Sequence, residues 1–284
     1  MTTLVGVLGW PVSHSRSPAM HNAAFEALGL DWRYELLPVE PERFEQFVRE
    51  LPERGFAGAN VTIPHKLRAL EVADRASEVA RTTGAANTLT FSAGGIEAEN
   101  TDVEGFLSAL RERAPQAPAG MEALVLGAGG AARAVVYGLI RAGAARISVW
   151  NRHRERAVKL VQDLSQAADA THLEAVQDAE ILPADLIVNA TSVGMSASPD
   201  EGELKEMRQP IKDLPISADV WGDRLIVVDL VYRQDGTPLA RLARLRGAVC
   251  IDGLDVLVHQ GAASFRLWTG MEAPLRAMRS AAKY

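Results

Sequence analysis

The chain has 284 residues, 48% hydrophobic and 23% charged, which is enough apolar material to build one large or two ordinary globular domains. A net charge of −6 with no block of Lys or Arg excludes a nucleic-acid surface, and no apolar run reaches the roughly 18 residues of a membrane span. The single cysteine, Cys250, excludes an internal disulfide and fits a reducing compartment; with no leader-like segment at the start, a cytoplasmic protein is expected. Cys and His nowhere take metal-ligand spacing, so no metal is expected.

Residues 4–8 read as an apolar strand that runs into the polar loop 9–18. Ligands of open α/β sheets bind at such strand ends. Pro18 suits the first turn of a helix over 19–28, capped by Ser17 and stopped by Gly29. A strand over 32–38, an amphipathic helix over 42–51, a strand over 57–63 and, after Pro64-His65-Lys66, a helix over 67–73 follow. Residues 85–91 and 96–100 read as a hairpin around Gly94-Gly95. This is a βαβα alternation closed by a strand pair, the pattern of an α/β domain with a mostly parallel sheet. A helix over 102–113 leads to 114–120, a turn-rich linker and candidate boundary.

Beyond it, 123–126 reads as a buried strand, and Gly127, Gly129 and Ala132 fit the G-x-G-x-x-G/A pattern before a helix over 133–141. In that pattern Gly127 permits the tight turn, Gly129 lets the backbone approach a pyrophosphate, and Ala132 keeps helix and strand close. The free amides and positive end of the helix supply an anion site. Strands are expected over 146–150, 186–190, 225–230 and 248–251, the last holding Cys250 as an inert core thiol. The segment 195–220 reads as irregular surface. From 254 to 282 the periodicity is helical, and this tail is expected to return to the first domain.

The stretches HSRSPAMHN at 14–22, NVTIPHK at 60–66, GAANT at 84–88, NTD at 100–102, GAGGAAR at 127–133, NATSVGM at 189–195, DLVY at 229–232 and DGLDVLVHQG at 252–261 span nearly the whole chain. In these stretches and their order the chain resembles the shikimate dehydrogenases, with quinate/shikimate dehydrogenases as close relatives. The resemblance implies an α/β fold of two domains. One is a substrate domain over 1–102 with 254–284 packed back on it; the other is a Rossmann-type NADP-binding domain over 103–253. It implies reversible hydride transfer between NADPH and 3-dehydroshikimate, giving shikimate, in aromatic amino acid biosynthesis. The implied partner is that small molecule, with no nucleic acid or membrane, and the chain acts as a monomer or homodimer.

Shikimate carries a carboxylate and three hydroxyls, so its pocket needs convergent polar groups. Ser15 and Ser17 can donate to a carboxylate, and they read equally well as helix caps. The resemblance assigns both to the substrate carboxylate. It assigns Thr62, Asn87 and Gln260, residue types that are usually structural in strands and helices, to the ring hydroxyls. Lys66 reads on its own as a solvated lysine at a helix start, where the dipole disfavours a cation. Asp102 reads as the N-cap of the next helix. By resemblance they are the catalytic pair and also touch substrate: an ammonium can stabilise the alkoxide-like oxygen and deliver its proton, a neighbouring carboxylate holds the lysine in place, and the sequence does not fix which of the two releases the proton at each stage. Tyr232, otherwise a core or surface tyrosine, is implied to line the same site.

In the cofactor domain, NAD-preferring enzymes usually place Asp or Glu at the end of the second strand. Here Asn151-Arg152-His153-Arg154-Glu155-Arg156 follows instead, and arginine's planar fork suits the 2′-phosphate of NADP. Arg152 and Arg156, four residues apart, are expected to reach one ligand from the same helix face; Arg154 reads as solvated. His153 departs from the family's usual Asn-Arg-Thr, and Val256 stands where Met is common. The resemblance completes the cofactor set with Ala128, Gly130 and Ala131 in the glycine turn, Thr191 at a strand end, and Leu230 and Gly253 near the nicotinamide. Two rival readings stand beside this one. Ser17 and the basic 151–156 stretch count against a quinate dehydrogenase using NAD. Retention of Lys66 and Asp102 counts against a non-catalytic sensor of NADP or shikimate.

Overall fold

The computed structural model describes residues 2–177, 184–195, 214–216, 219–233 and 235–283. They divide into two compact units, Met1–Gly105 with Leu257–Tyr284, and Phe106–Val256. The sequence reading puts the divide three residues earlier at each crossing. The turn-rich 114–120 stretch lies inside the second unit and is no boundary. Both crossings fall within helices, where no turn residue marks them.

The first unit runs β1 (Thr3–Gly9), α1 (Ser17–Ala27), β2 (Trp32–Pro38), α2 (Phe44–Glu50), β3 (Phe56–Val61), α3 (Lys66–Val72), β4 (Arg75–Ala76), α4 (Glu78–Thr83), β5 (Thr88–Ser92), β6 (Gly95–Glu99) and the start of α5 (Thr101–Arg113). Its sheet has the order β2-β1-β3-β5-β6-β4. β5 alone is antiparallel to its neighbours β3 and β6, and the other pairs are parallel. The C-terminal ends of β1, β3 and β6 and the N-terminal end of β5 therefore share one edge of the sheet. Val5, Val7 and Leu8 of β1 are all buried, as in a strand covered on both faces. Leu8, Val61 and Leu89 pack with Phe44 and Val48 of α2 in one apolar cluster. The short elements β4 and α4 carry too few residues to show a periodicity, and the sequence reading leaves both out.

The C-terminal tail forms two helices, Gly253–Thr269 and Leu275–Ala282, separated at Gly270, whose φ is +68°. Phe265 is fully buried with its ring 5.3 Å from that of Phe25 on α1. The Trp268 indole N–H donates to the Leu89 carbonyl of β5 at 3.1 Å. Arg16 donates to the Ala282 and Lys283 carbonyls at 3.3 and 2.8 Å, satisfying the open end of the last helix. The first unit is thus closed by residues more than 250 positions from its first strand.

The second unit contains β7 (Glu122–Leu126), α6 (Gly130–Arg141), β8 (Arg146–Trp150), α7 (Arg154–Leu164), β9 (His172–Val176), β10 (Leu186–Asn189), β11 (Ile226–Asp229), α8 (Pro238–Leu245) and β12 (Val249–Asp252). The tail helices are then α9 (Gly253–Thr269) and α10 (Leu275–Ala282). The sheet order is β12-β11-β10-β7-β8-β9 with every pair parallel. The strand order reverses between β7 and β10, which opens a crevice at their C-terminal ends. β9 is absent from the sequence reading because it is a half-exposed edge strand with polar positions. Of the segment expected as irregular surface, 196–213, 217 and 218 lie outside the described residues, while Leu214 and Ile216 are buried against Leu225 and Val227. Cys250 is half-buried on β12, and burial pushes its thiol up to about 11, so it is unreactive at neutral pH.

Phe265→Ala tests the tail's place in the core. Removing a fully buried aromatic is expected to lower the unfolding free energy by about 3–5 kcal/mol, read from urea titration. A loss below about 1 kcal/mol would show that the tail contributes little.

Candidate active site

The shared edge of the first sheet collects most of the substrate residues expected from the sequence. Ser15 lies on the loop after β1 and Ser17 at the first position of α1, Thr62 and Lys66 lie just after β3, Asn87 just before β5 and Asp102 just after β6. The backbone ties these segments together. Thr62 N–H donates to the Leu8 carbonyl at 2.8 Å, Val61 N–H to the Asn87 carbonyl at 2.7 Å, and Ala86 N–H to the Lys66 carbonyl at 2.8 Å.

Lys66 Nζ donates to Asp102 Oδ2 at 2.6 Å, with the two side chains 14% and 16% exposed: shielded, yet open to a small molecule. The other carboxylate oxygen accepts from Asn87 Nδ2 at 2.9 Å. Asn87 can be oriented in only one way. Its Oδ1 accepts from Thr101 N at 2.7 Å, and a backbone N–H can only donate. The amide nitrogen must therefore face Asp102, and it also donates to Gln260 Oε1 at 3.1 Å. Gln260 is held in turn by donation from Nε2 to the Leu257 carbonyl at 2.9 Å. Lys66, Asp102, Asn87 and Gln260, drawn from four separate segments, thus form one directed hydrogen-bond chain.

Two capping assignments change. α1 begins at Ser17, and its N-cap is Arg16 in an αR conformation, so Ser17 is no cap. Ser17 N–H donates to Ser15 Oγ at 3.3 Å, which leaves the Ser15 hydroxyl hydrogen available. Asp102 is inside α5; Asn100 Oδ1 receives Asp102 N–H at 3.2 Å and acts as the cap. Asp102's carboxylate is thereby released to Lys66. His65, beside the lysine, is buried against Phe44 with Nε2 at 2.8 Å from the Val39 carbonyl, and burial lowers its pKa. It is a neutral packing residue. Tyr232 belongs to the second unit, half-buried just after β11.

In the second unit the residues expected to hold the cofactor lie along the C-terminal edge of the sheet. Gly127 has φ +115°, and a Cβ there would stand 2.8 Å from the Ala190 carbonyl oxygen, so conformation and space both demand glycine. Gly129 differs: it caps α6, and apart from its two chain neighbours no atom of the described residues lies within 4 Å of where its Cβ would be. The packing of the chain leaves that position open, as a pyrophosphate approaching the amides of Gly129, Gly130 and Ala131 requires. Ala128 is half-exposed beside it, and Ala132 is fully buried under the turn. The residues present therefore fit a dinucleotide.

At the end of β8, Trp150, Asn151, Arg152, Arg154 and Gln177 line a hollow with no carboxylate among them. α7 starts only at Arg154, with His153 as its N-cap, so Arg152 precedes the helix and shares no helical face with Arg156. The arginine that joins Arg152 in the hollow is Arg154; Arg156 is exposed elsewhere on the first turn. Asn151 Nδ2 donates to the His153 carbonyl at 2.9 Å, shaping the bend, while the exposed His153 ring stands 3.8 Å from Glu155.

Thr191 donates from Oγ1 to Asn189 Oδ1 at 2.7 Å, and Leu230 N–H donates to the Asn189 carbonyl at 3.0 Å. Gly253 sits under the same loop: a Cβ there would meet the Leu230 carbonyl oxygen at 2.5 Å. Asp229, at the end of β11, is fully buried. Burial pushes its carboxyl up to about 6, and Asp252 adds to the shift, against hydrogen bonds from Thr237, Val231 and Asn189 that favour the charged form.

Comparison with known proteins agrees with this geometry. Residues 7–89 match the profile of the shikimate dehydrogenase substrate binding domain, 110–212 that of shikimate / quinate 5-dehydrogenase, and 253–283 that of the shikimate 5'-dehydrogenase C-terminal domain. The shikimate dehydrogenase (NADP(+)) of Methanopyrus kandleri is 45% identical over 99% of this chain and 94% of its own length. The chain belongs to the shikimate dehydrogenase family. Among solved members of the family, shikimate dehydrogenase from Aquifex aeolicus superposes with a TM-score of 0.86 at 34% identity, covering 100% of this chain and 98% of that one. Shikimate 5-dehydrogenase from Thermus thermophilus, crystallised with NADP(H) and shikimate, gives 0.82 at 39% identity over 99% and 98%.

Three residues given no site role in the sequence analysis stand beside these groups in the structure: Thr101, Arg154 and Asp229. Thr101 acts through its backbone amide, which leaves no mark on a sequence. A charged residue inside the otherwise apolar run 225–230 was the available signal for Asp229.

Asp229 also makes stability depend on pH. Its carboxyl titrates near 3.8 when unfolded and about 6 when folded, so between those values the folded state holds more protons. Its contribution is therefore complete below about 3.8 and declines as pH rises to 6, by roughly 2–3 kcal/mol. Asp229→Asn lacks this titration. Urea unfolding at pH 4 and pH 7 is expected to show the variant gaining on the parent by that amount; a constant difference would contradict it.

Proposed function

We propose that this protein is an NADP-dependent shikimate dehydrogenase that reversibly reduces 3-dehydroshikimate to shikimate in the cytoplasm, as a monomer or homodimer. The observation that carries the reading is the Lys66–Asp102 pair, largely shielded on a sheet edge and held by an amide of fixed orientation. NADPH, when bound, supplies the hydride. The lysine ammonium donates to the substrate oxygen that gains charge and delivers the proton that makes it a hydroxyl; in the reverse direction it takes that proton back. Asp102 anchors the ammonium while Asn87 holds Asp102, so the lysine's place is set before substrate arrives. Ser15 and Ser17 take the substrate carboxylate, Thr62, Asn87 and Gln260 its ring hydroxyls, and Tyr232 is a further substrate contact. The glycine turn from Gly127 to Ala131 takes the pyrophosphate. Asn151, Arg152 and Arg154 take the 2′-phosphate, with His153 shaping the bend, and Thr191, Leu230 and Gly253 border the nicotinamide. Arg156 is left a minor role.

The deciding assay is oxidation of shikimate and quinate, each with NADP and NAD. Shikimate with NADP is expected to be the efficient combination. Lys66→Ala should lower turnover about 10²- to 10⁴-fold with NADP affinity retained, as for loss of a general acid–base group. A folded Lys66→Ala protein with parental turnover would remove the pair from the chemistry and leave a binding protein.

Cofactor choice separates the arginines. Arg152→Ala and Arg154→Ala are each expected to lower kcat/KM with NADP by about 10-fold or more, the worth of a charged hydrogen bond, and to affect NAD much less. Arg156→Ala should change the NADP-to-NAD ratio little. Equal losses with both cofactors at positions 152 and 154 would place the phosphate elsewhere.

A further inference from the structure

Asp229 is the one carboxylate among the described residues that is buried from solvent. Burying a charge is costly unless it is fully hydrogen-bonded, and its neighbours along β11 are apolar, so sheet packing does not account for it. Its partners do. Oδ1 accepts from Asn189 Nδ2 at 2.9 Å and from Val231 N–H at 3.1 Å; Oδ2 accepts from the Thr237 hydroxyl. Thr237 Oγ1 in turn accepts from Ala240 N–H at 3.0 Å and caps α8.

The bond to Asn189 carries the effect further. Asn189 Nδ2 also donates to the Val193 carbonyl at 3.2 Å, and its Oδ1 accepts from Thr191 N–H at 3.1 Å and from Thr191 Oγ1 at 2.7 Å. Thr191 Oγ1 accepts from Val193 N–H at 3.0 Å. The loop after β10 is thereby folded around the Asn189 amide, and that amide is oriented by Asp229. The loop after β11 is held from two sides. Val231 N–H is drawn onto Asp229, while the Leu230 carbonyl lies against Gly253, where no side chain would fit.

We propose that Asp229 is a positioning residue for NADP: one buried carboxylate sets the paths of both loops, and so the places of Thr191 and Leu230. This rests on the reading of those two residues as cofactor contacts. A carboxylate suits the task because three donors converge on it and it only accepts. An asparagine of the same size would turn an NH2 group toward one of those donors, and an alanine would release all three.

The test is steady-state kinetics of Asp229→Asn and Asp229→Ala in the full chain, with circular dichroism to establish folding. Parental oxidation of shikimate with NADP tests the functional reading separately, and each variant is compared with that parent. Asp229→Asn should raise KM for NADP by about 3- to 10-fold, the worth of one hydrogen bond, and lower turnover, with KM for shikimate within about twofold. Asp229→Ala, if folded, should exceed it in the same direction. A folded Asp229→Asn protein with NADP KM and turnover within twofold of the parent overturns the proposal. So does a proportional rise in both KM values, which would mark a general loss of structure. Asp229→Asn keeps the volume and two of the three bonds, so the test does not depend on the alanine variant folding.

Discussion

The chemistry of the first unit depends on the orientation of one amide. Asn87 receives Thr101 N–H on its oxygen, and from that single bond the direction of every other bond in the cluster follows: nitrogen toward Asp102 and Gln260, carboxylate toward Lys66. A flipped amide would set its oxygen against a carboxylate and its nitrogen against a donor. Networks of this kind are rigid because each partial break leaves a buried group unpaired. The lysine is therefore held by geometry supplied from α5 and α9, helices separated by more than 130 residues in the chain.

The second unit achieves its arrangement by topology. In an all-parallel sheet every strand ends on the same edge, and the reversal of strand order between β7 and β10 parts the following loops there. Gly127 lets the chain turn where the β10 end passes closest, while Gly129 is glycine with no neighbour in the chain to require it. The contrast separates a glycine needed for folding from one that leaves room for a ligand. Asp229 adds a polar tie where topology alone would leave the β10 and β11 loops free.

Legibility followed periodicity and motif. The strands over 32–38 and 146–150 were readable to the residue: the second is an inner strand with 147–149 buried, and the first, a partly exposed edge strand, follows the stop at Gly29. The edge strand β9 and the short β4 and α4 were not, since few of their positions face a core. Helix starts were off by a few residues wherever a backbone conformation decided them: Arg16 in αR moved α1 forward to Ser17, and α7 began only at Arg154. That last shift exchanged Arg156 for Arg154 in the hollow at the end of β8.

By itself the sequence determined the class of fold, the glycine turn, the lack of an acidic residue at the end of β8, and the residue types of the candidate site. Each of these is local: it depends on spacing, turn chemistry or the charge of one side chain. Only the tertiary structure decided that Asn100 and not Asp102 caps α5, that Asn87 points its nitrogen at the carboxylate, and that a carboxylate at 229 is buried among three donors. Those outcomes rest on backbone amides and on partners tens to hundreds of residues away. Hydrogen-bond direction and burial exist only once the chain has closed around them.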